Sequence, residues 1–351
     1  MPGRGENSAE ADRLAEDALA RLEEEDPAGA IDCARRALER SPQHVVALRA
    51  LASALAELQR FEEAEETYER ALTVAPRDLD LLADASDFYL YFDDADDGAV
   101  RSLELATRGG KLARRAKDGE LARTFDLLAG HAELELGEAA AALSFFEKAL
   151  DPACPDGAEG RALALFELCR FERAREELLK LAEAEPGRAR VNHTLGLIAE
   201  RAGRGEEAGR AFARARELDP EAYPEPVTLS SKAFDAAVEA ALAALPAPLR
   251  GYLANVAITV EDLPSEDDLV ASDPPLSPGI LGLFRGTPVG EKASPDPWSQ
   301  FPSSIVLYQK NLERFAKDRS ELVREIGVTL VHEVGHFLGL DEQALWERGL
   351  D

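Results

Sequence analysis

Self-similarity at a displacement of 34 residues is the strongest constraint on what this chain can fold into. Ala30, Ala37 and Pro42 recur as Ala64, Ala71 and Pro76, and Ala174, Leu181 and Pro186 recur as Ala208, Ala215 and Pro220. The order is physical. In each unit a first helix supplies large apolar residues such as Leu48, Leu51 and Leu55. A second helix supplies small ones, Ala64 and Ala71, where backbones approach, and Tyr68 fills the space between. Proline then ends the pair because it cannot continue the helical hydrogen-bond ladder. A unit of this size cannot bury its apolar face alone, so copies must stack on their neighbours.

The last copy is the clearest, with Leu195, Gly196, Ala199, Ala208, Phe212, Ala215 and Pro220 in sequence. These residues resemble the tetratricopeptide repeat, and the resemblance implies a right-handed α-solenoid of helix-turn-helix repeats whose groove recruits a polypeptide substrate or partner protein. Gly130, Ala142, Phe146 and Ala149 form a further recognisable copy. Residues 79–118 keep helical patterning but lack the closing proline and contain the acidic stretch 93–97. No EF-hand spacing follows that stretch, so it reads as a solvated loop. About five or six units fit between residues 9 and 220, behind a disordered N-terminus at residues 1–8.

Charge narrows the partners. The chain of 351 residues carries a net charge of -28, and residues 221–351 contribute 21 acidic against 10 basic side chains. Neither half offers a basic face, which argues against nucleic acid and against anionic membrane. Cys33, Cys154 and Cys169 are too few for a disulfide scaffold. The polar N-terminus lacks a secretory core, and no apolar run approaches the roughly 20 residues that span a bilayer. The expected compartment is the cytoplasm.

After Pro220 the pattern changes. Residues 221–231, EAYPEPVTLSS, have no helical period and read as a linker. Residues 232–351 then read as a small α+β domain. It opens with a helix over 232–245, continues through strand-like runs NVAITVED, GILGLFRG and SSIVLYQ, and closes with a long helix over 320–338.

That closing helix contains VTLVHEVGHFLGLDE. His332 and His336 are four apart, so they lie on one face about one turn apart and can aim two imidazoles at one point. Glu333 points about 100° round the helix, where it reaches a metal-held water without being a ligand. Leu322, Val323, Ile326, Leu330 and Val334 form an apolar stripe that sets the site against a core. Gly339 lets the chain turn after the helix and brings Asp341 and Glu342 back toward the histidines. A tetrahedral catalytic zinc takes three protein ligands and leaves one position open. Asp341 and Glu342 are the adjacent candidates for the third. His44, His131 and His193 have no acidic or cysteine partner at ligand spacing and read as packing or surface residues.

HExxH with a ligand at the tenth residue after its first histidine is similar to the extended zincin motif, and Glu342 stands at that spacing. The methionine turn of metzincins has no counterpart, since Met1 is the only methionine. The segment as a whole resembles the minimal zincin-like metallopeptidase family of bacteria. The resemblance is carried by residues 234–246, 255–262, LGLFRGTPV at 281–289, IVLYQ at 305–309 and LVHEVGHFLGLDEQAL at 330–345. Members of that family most often carry Asp where Glu342 stands. The resemblance implies one catalytic zinc ion held by His332, His336 and Glu342, with Asp341 the alternative ligand or an orienting partner. It also implies peptide hydrolysis with Glu333 as general base. Tyr308 is a candidate oxyanion donor, and SSIVLYQ a candidate edge for an extended substrate. The alternative is an interaction scaffold whose zincin-like domain binds metal without turnover.

Overall fold

The computed structural model describes residues 4–91, 97–253, 256–286, 304–340 and 344. Two compact units divide the chain, Met1–Leu165 and Phe166–Asp351. Among the described residues no helix is long and apolar enough to cross a membrane.

The first unit is built from helix pairs: α1 (Arg4–Glu23) with α2 (Pro27–Arg40), α3 (Val45–Glu57) with α4 (Phe61–Val74), α5 (Leu79–Leu90) with α6 (Gly98–Ala116), and α7 (Gly119–Glu135) with α8 (Ala139–Ala149). Asp26, Asp78 and Asp118 cap α2, α5 and α7, each accepting a hydrogen bond from the backbone N–H three residues on. Leu48, Leu55, Tyr68, Ala64 and Ala71 are buried together, so the large-and-small division read from the repeat is the packing observed. Helix α1 begins at Arg4, inside the stretch expected to lack structure. ENSAEADRLA is rich in Glu and Ala, and its Ala11, Leu14 and Ala15 are buried.

The second unit contains the remaining repeat helices, α9 (Asp156–Glu167, from its last turn), α10 (Phe171–Ala184), α11 (Ala189–Arg201) and α12 (Gly205–Leu218). It continues through α13 (Ser231–Ala244), α14 (Ala247–Leu253), β1 (Ala257–Glu261), α15 (Glu266–Leu269), β2 (Gly282–Arg285), β3 (Ser304–Tyr308), α16 (Gln309–Phe315) and α17 (Arg319–Phe337). The strand order is β1-β3-β2, with β1 parallel and β2 antiparallel to β3. β3 is therefore the central strand, not an edge to which a substrate adds. Both of its faces are covered, with Ile305 to Tyr308 all buried, which is why the run is continuously apolar.

Period-2 alternation sorts the sheet into two faces. Ile258, Val260, Phe284, Ile305 and Leu307 share one face and pack with Phe234 and Val238 of α13 and with Leu322, Ile326, Leu330 and Val334 of α17. Burying each such aliphatic side chain contributes about 1.5–3 kcal/mol. α17 starts where the Asp318 carboxylate accepts the N–H groups of Ser320 and Glu321, bonds that hold its own pKa below the usual carboxylate range.

The second unit is not two modules on a free tether. Glu200 of α11 pairs with Arg314 and Lys310 at α16, and Arg201 donates to the Pro264 carbonyl at 2.7 Å. Residues 221–230 carry no helix or strand, yet the Leu229 N–H donates to the buried Glu313 carboxylate at 2.8 Å. The Gln309 amide donates to the Leu229 carbonyl at 3.0 Å and to the same carboxylate at 2.8 Å.

Candidate metal centre

His332, Glu333 and His336 lie in the last two turns of α17. Their placement follows from the apolar stripe on the same helix. With Leu322, Ile326, Leu330 and Val334 turned into the core, the histidines fall at its margin, half-buried, and Glu333 is drawn inside at 5% exposure.

Two glycines set the local geometry. A Cβ built on Gly282 of β2 would stand 2.5 Å from Thr329 Cγ2, 3.2 Å from the Val306 carbonyl oxygen and 3.3 Å from Glu333 Cγ. The sheet and α17 meet there with no room for a side chain, and the stem of Glu333 is held in that contact. Gly339 has φ +86, the left-handed conformation that closes helix C-termini. The Leu340 N–H bonds back to Gly335 and the Gly339 N–H to His336. This turn presents the Leu340 carbonyl to His336 Nδ1 at 3.1 Å.

That contact assigns a tautomer. A carbonyl oxygen only accepts, so Nδ1 carries the proton and the neutral ring offers its Nε2 lone pair. His336 Nε2 lies 3.1 Å from His332 Nε2, with the rings edge-on at 80°. Two nitrogens at that separation can share one ion at the usual Zn–N distance of about 2.0–2.1 Å, subtending roughly 100°, near tetrahedral. The backbone partner behind His336 is the orienting contact metal-binding imidazoles use. The donors present thus fit zinc. Among the described residues no group of three His, Cys, Asp or Glu side chains gathers. Asp341 and Glu342, the candidates for the third ligand, lie outside the described residues, as do Asp93, Asp94 and Asp96 of the acidic stretch.

Tyr308 is not at this site. Leu307 pairs with Gly282 and shares its face toward α17, so Tyr308 points to the opposite face of the sheet. It is fully buried there, and burial pushes its hydroxyl up to about 12. On that side Arg285 forms double hydrogen bonds to Glu261, at 2.7 and 3.1 Å, and to Asp268, at 3.1 and 2.6 Å. The bond to Glu261, then that to Asp268, raises the guanidinium pKa further. This cluster ties β1, α15 and β2 together.

Sequence reading missed Gly282, the Leu340 carbonyl and the Arg285 cluster. A glycine inside a strand is a signal of close backbone approach and was available. A carbonyl partner leaves no trace in residue type. His44, His131 and His193 are packing residues, as their spacing implies: His44 caps α3 and contacts Asp12, while His131 and His193 lie against Phe146 and Phe212.

Residues 253–350 match the family model of the zincin-like metallopeptidases, and residues 21–90 and 160–223 match models of the tetratricopeptide repeat. No curated protein matches the chain. Among solved structures, PilF of Pseudomonas aeruginosa is 22% identical with a TM-score of 0.51, over 67% of this chain and 99% of that one. PilW, described as a widely conserved type IV pilus biogenesis factor, is 16% identical with a TM-score of 0.51, over 60% of this chain and 94% of that one. At such identities the likeness is one of fold. The chain thus joins tetratricopeptide repeats to a zincin-like metallopeptidase domain.

Proposed function

We propose that the chain is a zinc-dependent peptidase whose repeats recruit a polypeptide substrate or partner protein. The observation that carries this reading is the convergence of His332 and His336 Nε2 beside a buried Glu333 on one helix, within the region that matches the metallopeptidase family. His332, His336 and Glu342 would hold the metal. When bound, zinc supplies a Lewis acid for the scissile carbonyl and acidifies a water. The remaining work falls to the chain. Glu333 takes the proton of the attacking water and returns it to the leaving amine. Its position is held by the Gly282 contact, and burial keeps bulk water from competing for its oxygens. The Leu340 carbonyl keeps His336 in the tautomer that a metal requires.

Zinc content and cleavage of a library of unstructured peptides, measured on the wild type and on Glu333→Gln, test the reading. The expected result is about one zinc per chain in both and a 10²–10⁴-fold lower cleavage rate in the variant. Zinc without any Glu333-dependent cleavage would assign a scaffold instead, and no zinc at neutral pH would remove the metal centre. Glu342→Ala should lose metal far more readily than Asp341→Ala. The reverse order would transfer the third ligand to Asp341.

A further inference from the structure

In a chain with 68 acidic and 40 basic residues, many arginines of the repeats pair with carboxylates. Arg49 pairs with Asp80 and Asp84, and Arg101 with Glu65, Glu69 and Asp97. One groove of the first unit departs from this. It has a volume of about 680 Å³ and lies between the turn after α4, at Pro76 and Arg77, and the outer face of α6. Arg77, Arg108, Lys111 and Arg115 line it against the single carboxylate of Glu104, and among the described residues no ion pair joins any of the four to an acid.

The α6 stripe explains the arrangement. Ser102, Ala106, Gly109, Gly110 and Ala113 are the buried side of the helix. Arg108, Lys111 and Arg115 fall at spacings of three and four residues on the opposite side, with Val100 about two turns before the first of them. Val100 is 48% exposed, and Leu103 and Leu112, half-buried on the two flanks of this side of the helix, also line the groove. The Arg108 guanidinium donates to the Pro76 carbonyl, which joins the two walls. The result is an apolar trough with a cationic rim on an otherwise acidic chain.

We propose that this groove docks an acidic polypeptide segment that carries aliphatic residues. Charge complementarity selects the occupant: carboxylates meet the four cations while leucine-type side chains cover Val100, Leu103 and Leu112. The chain's overall negative charge does not forbid the encounter. At physiological ionic strength fields are screened over about 8 Å, so the local cations dominate inside the groove. The same overall charge disfavours a nucleic acid, which would need many more phosphate contacts than four cations supply. The proposal deepens the recruiting role assigned to the repeats and does not depend on peptide-bond cleavage.

The test uses the full chain carrying Glu333→Gln, so that no probe is cut, and three labelled 15-residue peptides in which leucine alternates with Glu, Gln or Lys. Binding is read by fluorescence anisotropy. The Glu–Leu peptide should bind, its affinity should fall with added NaCl, and the pair Lys111→Glu with Arg115→Glu should weaken it at least tenfold. Arg35→Glu, an exposed charge reversal on α2, should leave it unchanged, and circular dichroism should show all variants folded. Equal binding of the Gln–Leu or Lys–Leu peptide, equal binding by the Lys111→Glu/Arg115→Glu chain, or tighter binding of a single-stranded oligonucleotide would each overturn the proposal. Failure of cleavage in the wild type would leave these measurements untouched.

Discussion

The repeats of the first unit and those of the second share a motif but not a role. In the first unit each pair packs on its sequence neighbours, and its ion pairs stay within a pair or reach the adjacent one, as with Arg101 of α6 and Glu65 and Glu69 of α4. In the second unit the same kind of helix turns its end onto a different fold. Glu200 and Arg201 close α11 and meet Arg314, Lys310 and Pro264 of the C-terminal elements, while Phe212 of α12 lies under the Arg314 guanidinium. A solenoid end needs a cap for its exposed face. Here a metallopeptidase-like domain is packed against the final repeats, and those repeats in turn cover one flank of that domain.

The largest break in this comparison comes from where the chain is cut. Residues 156–351 should fold cooperatively and retain zinc, whereas residues 221–351, stripped of α9 to α12, should lose cooperative thermal unfolding altogether. Equal behaviour of the two fragments would show that the last repeats are no different from the first. A smaller effect is expected at the contact that seats α17. Gly282→Ala introduces a methyl 2.5 Å from Thr329, and should cost about 1–3 kcal/mol in denaturant unfolding with weakened zinc retention. Smaller again, Glu200→Ala removes the carboxylate partner of Arg314, while Lys310 keeps Asp262, and should cost about 1–2 kcal/mol in the second unit alone.

The subtlest effect is one of sign. Burial, with help from the Arg314 charge, pulls His193 down to about 4 from its ordinary 6.5. Between those values the unfolded chain takes up a proton that the folded one refuses, so the second unit loses stability as pH falls from about 6.5 toward 4. Asp84 of the first unit does the opposite. Burial raises it to about 6, the Arg49 charge opposing this and the acids Asp80, Asp87 and Asp78 adding to it. The folded form then holds a proton more tightly than the unfolded, and mild acid favours it. Denaturation curves from pH 7 to 4 should flatten for His193→Phe in the second unit. For Asp84→Asn the change should lie in the first unit and run the other way.

Much of this was legible before any coordinates. The 34-residue displacement placed the helix pairs because small residues and prolines at fixed offsets have few other uses, and HExxH placed two convergent imidazoles because helical periodicity leaves no alternative. The rank of the strands was harder. SSIVLYQ reads as a strand, but only its lack of alternation separates a central position from an edge, and that signal is weak over five residues. The docking of the last repeats was invisible for a different reason: Glu200 and Arg201 look like an ordinary solvated helix end, and nothing in a residue's type names a partner more than 60 positions away.

The contact at Gly282 has one more consequence. Elsewhere in the core, volume can be exchanged between neighbours, because side chains have torsions that yield. On the glycine side of this contact there is no side-chain torsion to turn. The gap between sheet and α17 is therefore a fixed gauge, and mutational drift in the surrounding aliphatic residues can alter how firmly the domain holds together without changing where Glu333 stands.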